Sequence, residues 1–287
     1  MLKRAAFAAL LLVVVPIAAF AQQTRRYIVG MKAGVTRAAK AGQFAGRSLQ
    51  DLPNLDSFIV DLSDAEVQQM RNDPSVRYVE SADIKFFASD KSVRPGRTVV
   101  ESHPVDAQIT PYGITMVHAP QVWPVTKGDG VNVAIVDTGI DYTHPELKDH
   151  YQGGFNAITG TNDPRDDDGH GSHVAGTIGA ADNGIGVVGV APNVRIWSAK
   201  VLQPDSSGGA SGTNAQIASG LNWVLSKKNE VGGHWIVNMS LGQCTDTTVD
   251  PTNCNPTPSS TMQNACQKLA DAGVLVFAAS GNDSTLT

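Results

Sequence analysis

The sequence predicts an α/β protein with a parallel β-sheet, preceded by a small α+β module. Two observations predict the sheet: apolar runs of strand length recur from about residue 107, and segments with helical spacing of apolar residues alternate with them. A third observation predicts the module, because a strand, a helix and a second strand follow one another within residues 25–87.

The first 21 residues predict an export signal. Two basic residues precede an apolar run over residues 5–15, and Ala19-Phe20-Ala21 supplies small residues at a cleavage site. The run is short and interrupted by Pro16, which does not favour a membrane span. A buried N-terminal helix is the alternative interpretation. We therefore expect a secreted protein, extracellular or periplasmic, without a membrane partner.

The composition is that of a globular protein, with 41% hydrophobic and 17% charged residues. The net charge of −5, without a basic run, argues against nucleic acid as a partner. The three cysteines, Cys244, Cys254 and Cys266, lie close together in the sequence and allow at most one local disulfide. A zinc site there is not expected, because no histidine lies nearby at ligand spacing.

The module is predicted to contain strands over residues 26–31, 57–62 and 76–80, followed by an apolar segment at 84–87. A helix is predicted from Ser63, because Glu66 lies three residues on in the pattern of a capping box. Residues 88–106 lack periodicity and contain Pro95-Gly96, which is typical of an exposed linker.

The larger region is predicted to contain strands over residues 131–136, 194–202, 235–241 and 274–279, and helices over 214–225 and 261–272. In such sheets the functional side chains lie at the carboxyl ends of the strands. Asp137, Ser240 and Asn282 each follow a predicted strand. This placement favours one functional site at that edge of the sheet.

Three residue types suit nucleophilic hydrolysis. A buried Asp137 requires a partner. His170 is set between two glycines at a helix start, which fixes the direction of its side chain. The amide of Asn282 can donate to an oxygen that becomes negative during acyl transfer. Taken singly, each has another interpretation: a turn Asp, a core histidine and a turn Asn.

A metal-dependent hydrolase is a further alternative, because His170 and His173 form a pair flanked by three aspartates at residues 166–168. A metalloprotease pair is normally His-Glu-x-x-His, however, and glycine and serine intervene here. We expect the aspartate run to be a solvated loop.

Four motifs occur in order: Val-Asp-Thr-Gly-Ile-Asp (136–141), His-Gly-Ser-His-Val-Ala-Gly-Thr (170–177), Asn-Met-Ser-Leu-Gly (238–242) and Ala-Ala-Ser-Gly-Asn (278–282). Together they resemble the subtilisin-like serine peptidases of the S8 family over residues 111–282. The resemblance implies a three-layer domain and the cleavage of polypeptides by a Ser/His/Asp mechanism.

The resemblance also implies roles for individual residues. Asp137 would orient His170, His170 would act as general base and then acid, and Asn282 would form the oxyanion site. Ser240, Leu241 and Gly242 would form an edge that binds an extended substrate, with residues 208–212 opposite. Structural calcium would be bound by Gln108, Glu146 and Asn183, with the carbonyl groups of Ala181, Ile185 and Val187. The family commonly has Asp at the position of Glu146.

By the same resemblance, residues 1–21 are a signal peptide, residues 22–106 are a propeptide with an inhibitor I9-type module at 25–87, and residues 107–287 are an incomplete peptidase domain. The propeptide would be an intramolecular inhibitor. Residues 243–260 are a Cys/Pro/Thr-rich insertion without an assigned role.

The Gly-Thr-Ser-Met-Ala segment that holds the nucleophile in the family does not occur in the sequence, and neither Ser280 nor Ser284 has that context. We therefore expect a precursor truncated before its catalytic serine, and inactive as it stands. The alternative is a non-catalytic homologue that binds peptides or inhibits a related protease.

Overall fold

The computed structural model describes residues 23–88, 107–206, 208–244 and 258–280. The predicted signal peptide, nearly all of the predicted linker, Cys254 and Asn282 lie outside these ranges. Across the described residues, no helix is both long and apolar enough to cross a membrane.

The N-terminal module (residues 23–88) contains a four-stranded antiparallel sheet in the order β2-β3-β1-β4. Its strands are β1 (Thr24–Met31), β2 (Leu49–Leu52), β3 (Ser57–Ser63) and β4 (Val76–Ser81). Its helices are α1 (Arg37–Ala41) and α2 (Asp64–Arg71). The predicted capping box is confirmed: Glu66 and Ser63 bond reciprocally at the start of α2.

Strand β3 is buried on both of its faces. Phe58 and Val60 belong to the module's own core, whereas Ile59 belongs to the core of the larger region. The strand is therefore a near-continuous apolar run, and the module is attached to the rest of the protein through its sheet.

The larger region contains a parallel five-stranded sheet in the order β13-β11-β6-β8-β7. The strands are β6 (Val131–Asp137), β7 (Tyr151–Asn156), β8 (Arg195–Lys200), β11 (His234–Met239) and β13 (Val274–Ala278). This confirms the predicted parallel sheet. Strand β7 was not predicted, because Gly153-Gly154 interrupts it at the sheet edge.

Helices cover both faces of this sheet. They are α5 (His170–Gly179), α6 (Asn214–Val231) and α7 (Ser260–Asp271), with short helices α3 (Tyr112–Met116) and α4 (Ala119–Val122) near residue 107. Alternate residues of β6 belong to different cores: Val133 lies with Ala175 of α5, and Ala134 with Ile217 of α6 and Leu269 of α7. The architecture is therefore three-layered, as predicted.

A second four-stranded sheet is antiparallel and has the order β12-β5-β10-β9. Its strands are β5 (Lys85–Ala88), β9 (Gln203–Pro204), β10 (Ala210–Thr213) and β12 (Leu241–Cys244). Strand β5 follows the module along the chain, and the other three belong to the larger region. The two regions therefore share this sheet.

Candidate active site

Asp137 and His170 are in direct contact at the carboxyl edge of the parallel sheet. Asp137 ends β6, His170 begins α5, and His170 Nδ1 lies 2.6 Å from Asp137 Oδ1. Asp137 is fully buried and His170 is 4% exposed. The structure thus brings together two side chains that the sequence placed at a strand end and at a helix start.

Close backbone packing fixes this contact. A Cβ atom at Gly171 would collide with the carbonyl oxygen of Gly139, and one at Gly139 would collide with the carbonyl oxygen of Pro164. Gly139 also has a φ of +113°, which side chains of L-residues rarely adopt. The glycines of the two motifs are therefore needed for the aspartate turn and the histidine helix to meet.

The contact with Asp137 determines which nitrogen of the His170 imidazole carries a proton. Burial raises the pKa of Asp137, while the hydrogen bonds from His170 and from the Thr138 backbone N–H (2.7 Å) oppose that rise. A carboxylate at Nδ1 holds the proton on that nitrogen and leaves Nε2 to accept another. The contact has the geometry that the predicted roles of an orienting carboxylate and a general base require.

Strand β5 lies between the two segments that the sequence assigned to substrate binding. On one side Leu241 pairs with Ala88 and Gly242 with Phe87. On the other side Ser211 pairs with Phe87 and Gly212 with Phe86. A segment of the module therefore occupies the position that we predicted for an extended substrate.

The side chain of Phe86 anchors this strand. It is 4% exposed and belongs to the same apolar cluster as Ala210, Ile217 and Leu241. The neighbouring Phe87 is half-buried. Ser240, the third predicted substrate-binding residue, separates β11 from β12, and its Oγ accepts a hydrogen bond from Asn238 (2.9 Å).

The comparison with known proteins matches a family model described as the subtilase family, Peptidase S8, to residues 128–287. The chain belongs to this family. It is 32% identical over 269 residues to subtilisin E from Bacillus subtilis, covering 91% of this chain and 60% of subtilisin E. It is 36% identical over 236 residues to an alkaline protease from Alkalihalobacillus alcalophilus, covering 82% of this chain and 51% of that protease.

Among solved structures, this subtilase chain resembles fervidolysin from Fervidobacterium pennivorans, described as a keratinolytic enzyme related to subtilisin. The TM-score is 0.63 at 22% identity, covering 92% of this chain and 41% of fervidolysin. That likeness supports the fold. The chain spans about half to three fifths of the length of the curated subtilases named above.

In this subtilase, the three predicted calcium ligands lie around one loop. Gln108 Oε1 accepts from the backbone N–H groups of Asn183 (2.9 Å) and Gly184 (2.8 Å). Glu146 is 5% exposed, and its carboxylate accepts from Val187 N (3.1 Å) and Asn183 Nδ2 (3.2 Å). A donor set of amide oxygens and one carboxylate fits Ca²⁺ in kind, with Glu146 supplying the negative charge.

The metal-hydrolase alternative finds no support in the described ranges. His173 is exposed on α5 while His170 is buried, and these ranges hold no group of three His, Cys, Asp or Glu side chains placed to bind a metal ion.

Cys266 is a free thiol whose pKa is raised by burial.

The aspartate run at 166–168 is only in part the solvated loop that we expected, because Asp167 is exposed whereas Asp166 is half-buried and Asp168 is buried. Asp168 is 9% exposed, and Asp166 accepts hydrogen bonds from Thr138 and Ser172. For Asp166 and Asp168 the expectation was wrong because successive acidic residues normally indicate a solvated surface, whereas here backbone N–H groups at the start of α5 surround two of them. No local pattern indicates this burial, because the Thr138 hydroxyl that bonds to Asp166 lies 28 residues earlier in the chain.

Glu80 is a further polar residue that the sequence did not single out. It lies in β4 of the module, and its carboxylate accepts from Ser260 N (2.9 Å) and Thr261 N (3.0 Å) at the start of α7. It also accepts from Asn214 Nδ2 (2.9 Å) at the start of α6. The module therefore supplies a carboxylate to the beginnings of two helices of the subtilase domain.

Proposed function

We propose that the chain is the precursor form of a secreted subtilisin-like serine endopeptidase that cleaves polypeptides, and that these 287 residues do not include its catalytic serine. Residues 107–287 belong to the peptidase domain, and residues 22–106 are its propeptide, with the inhibitor-like module at 25–87. Residues 1–21 are the signal peptide. The family membership and the Asp137–His170 contact support the serine-peptidase chemistry.

The position of β5 is the observation that carries the proposal. An extended segment paired on both sides, between β10 and β12, has the geometry of a peptide bound by strand addition. Because this segment comes from the N-terminal module, it blocks access for another chain to the same edges. This is the arrangement expected of an intramolecular inhibitor.

The contacts outside the cleft support the same role. Asp56 of the module forms an ion pair with Lys268 of α7 (2.6 Å), and Arg77 donates to Asn264 (2.8 Å). The main apolar cluster contains Ile28 and Leu55 from the module as well as residues of α6 and α7. Such a joint core would help the two helices to fold against the sheet.

In the proposed mechanism, His170 Nε2 removes the proton of a serine hydroxyl that attacks the peptide carbonyl, and later protonates the leaving amine. Asp137 holds the imidazole and stabilises its positive charge. Asn282, outside the described residues, is proposed as a donor to the tetrahedral oxyanion. Leu241 and Gly242 then bind substrate backbone in the place of β5.

Calcium is proposed as a structural ion of this protein, bound by Gln108, Glu146 and Asn183. The ion would join the segment before α3 to the loop after α5. No chemical step is assigned to it.

The test uses the reading frame continued beyond codon 287, compared with the 287-residue chain. We expect the longer product to react with a serine-directed fluorophosphonate and to hydrolyse casein, and the 287-residue chain to do neither. His170→Ala in the longer product should abolish both reactions. A stop codon directly after codon 287, or labelling that is unchanged by His170→Ala, would contradict the proposal.

One observation favours the second candidate, a non-catalytic inhibitor of a related protease. The module has its own core, built from residues such as Val29, Phe58 and Val60. In this case the purified 287-residue chain would inhibit a subtilisin in trans with a saturable inhibition constant. No inhibition at micromolar concentrations would count against it.

A further inference from the structure

The Asp166 carboxylate bonds to groups next to both members of the Asp137–His170 pair. Its Oδ1 accepts from Thr138 Oγ1 (2.9 Å), Asp168 N (3.0 Å) and Gly169 N (3.0 Å). Its Oδ2 accepts from Ser172 N (2.9 Å) and Ser172 Oγ (2.6 Å). One carboxylate thus bonds to the turn after Asp137 and to the first turn of the helix that begins at His170.

Thr138 connects this carboxylate to the pair. Its hydroxyl donates to Asp166 and accepts from the backbone N–H of Gly171 (2.8 Å), next to His170. Its own backbone N–H donates to Asp137 Oδ1, the oxygen that also faces His170 Nδ1. Thr138 therefore bonds to Asp137 on one side of the Asp137–His170 hydrogen bond and to Gly171, the residue after His170, on the other side.

The Asp137 carboxylate depends on these bonds. Within the described residues its Oδ2 is buried and has no hydrogen-bond partner. Its orientation is therefore set by the two donors at Oδ1, His170 and the Thr138 backbone N–H. Any rotation of the Thr138 peptide would tilt the carboxylate away from the imidazole.

We propose that Asp166 is a positioning residue, which acts through the Thr138 hydroxyl to fix the Asp137 turn against the start of α5 and so hold His170 in its productive orientation.

Two further contacts fit this role. Ser172 Oγ, which donates to Asp166, accepts from the backbone N–H of Asp141 (2.8 Å), so the far end of the aspartate turn is tied to the same carboxylate. Burial opposes the ionisation of Asp166, but the hydrogen bonds from Gly169, Ser172 and Asp168 outweigh it and lower its pKa. The carboxylate therefore remains an acceptor at neutral pH.

This inference deepens the proposed function, and its test needs no nucleophile. The readout is the imidazole Nδ1–H proton of His170, observed by NMR in the 287-residue chain with ¹⁵N-labelled histidine. In the unmodified protein we expect a downfield signal that exchanges slowly with water. Because activity is not measured, a negative result here leaves the proposed proteolysis untouched.

The variants are Asp166→Asn and Thr138→Val. In Asp166→Asn, the amide N–H₂ group faces hydroxyl and backbone N–H groups that are themselves donors. Thr138→Val removes the hydroxyl and keeps the branched shape of the side chain. Thr138→Val breaks the two hydrogen bonds of the hydroxyl, and Asp166→Asn breaks at least one of those to the carboxylate. We therefore expect exchange of the His170 Nδ1–H proton to become about tenfold faster, or its signal to be lost. Thr138→Ser retains the hydroxyl and should preserve the signal.

Asp163→Asn is the charge-matched control, because Asp163 is an exposed acid that bonds to Tyr142 instead of Thr138. Backbone amide exchange in β6 separates positioning from folding. The proposal is overturned if Asp166→Asn and Thr138→Val leave the His170 signal unchanged, if Thr138→Ser loses it, or if Asp163→Asn has the same effect. It is also overturned if the β6 amides lose protection to the same extent as the imidazole proton.

Discussion

Glu80 and Thr261 lie 3.0 Å apart, carboxylate oxygen to backbone nitrogen, across the boundary between the N-terminal module and the subtilase domain. The same carboxylate accepts from Ser259 Oγ (2.8 Å) and Ser260 N (2.9 Å). The first N–H groups of a helix have no partner within the helix. Glu80 therefore completes the start of α7 from another part of the chain.

Replacing Glu80 by Gln should weaken the attachment of the module. The amide keeps one acceptor but loses the charge that favours the positive ends of α6 and α7. Because Glu80 is half-buried, we expect a loss of about 1 kcal/mol in the free energy of unfolding, measured in urea at neutral pH. Glu230→Gln, an exposed acid in the last turns of α6, is the control and should have a much smaller effect.

The Glu80 contribution should also depend on pH in a defined direction. Burial alone would raise the pKa of Glu80, but the hydrogen bonds from Thr261, Asn214 and Ser259 outweigh it and lower the pKa. The stabilisation is therefore complete above the ordinary glutamate pKa and is lost as the pH falls through the lowered value. The difference between the native chain and Glu80→Gln should shrink on acidification. A difference that grows would be evidence against this contact.

Phe86→Ala should loosen the strand that occupies the cleft. Its ring is buried among Ala210, Ile217 and Leu241, so truncation removes apolar contacts and leaves a cavity. We expect a loss of about 3 kcal/mol in the free energy of unfolding and faster amide exchange in β10 and β12. Phe87→Ala, at a half-buried position, should cost about 1 kcal/mol. Equal effects of the two substitutions would mean that Phe86 is not the anchor.

Gly171→Ala should disrupt the Asp137–His170 contact, because the added Cβ would collide with the carbonyl oxygen of Gly139. The expected loss in the free energy of unfolding is about 2 kcal/mol or more, with a changed His170 imidazole spectrum. Gly176→Ala lies in the same helix with no heavy atom within 4 Å of the new Cβ. It should stabilise the protein by about 0.5–1 kcal/mol. If both Gly171→Ala and Gly176→Ala destabilised the protein, the collision with the Gly139 carbonyl oxygen would not be the cause.

Calcium should raise the thermal stability of the native chain and a chelator should lower it. An ion present at about 100 times its dissociation constant would add roughly 2.7 kcal/mol. Glu146→Gln removes the charge at the proposed site and should abolish the difference between calcium and chelator in a differential scanning calorimetry experiment. Asp129→Asn, at an exposed acid that accepts a hydrogen bond from Asn193 and does not contact the proposed ligands, should retain it. Identical melting curves of the native chain in calcium and chelator would refute the calcium site.

The sheet could be predicted from the sequence where its strands are apolar on both faces. Strand β6 is buried along most of its length and is apolar at five of the six positions before Asp137, whereas β8 is as deeply buried but carries Ser198 and Lys200. The edge strand β7 carries two glycines, and β2 is mostly exposed, so neither has such a pattern. These strands form where neighbouring parts of the protein pair with them, and a local sequence pattern does not show that pairing.

The site shows the same division. The proximity of Asp137 and His170 could be predicted from the family resemblance, because the two motifs that hold them are recognisable local patterns. The position of β5 could not, because its pairing partners lie far along the chain and its apolar pattern resembles that of any short strand. The contacts of Asp166 depend on the Thr138 turn and on the start of α5 together. The roles of Asn282 and of the calcium ligands stay predictions.

The most direct test of the central claim is the intact mass of the protein produced from the reading frame continued beyond codon 287. We predict that the native protein loses its N-terminal region by cleavage upstream of residue 107, whereas His170→Ala and Asp137→Asn remain uncleaved precursors. Processing of all three proteins at the same site and rate would contradict the claim that Asp137 and His170 serve a serine nucleophile in this chain.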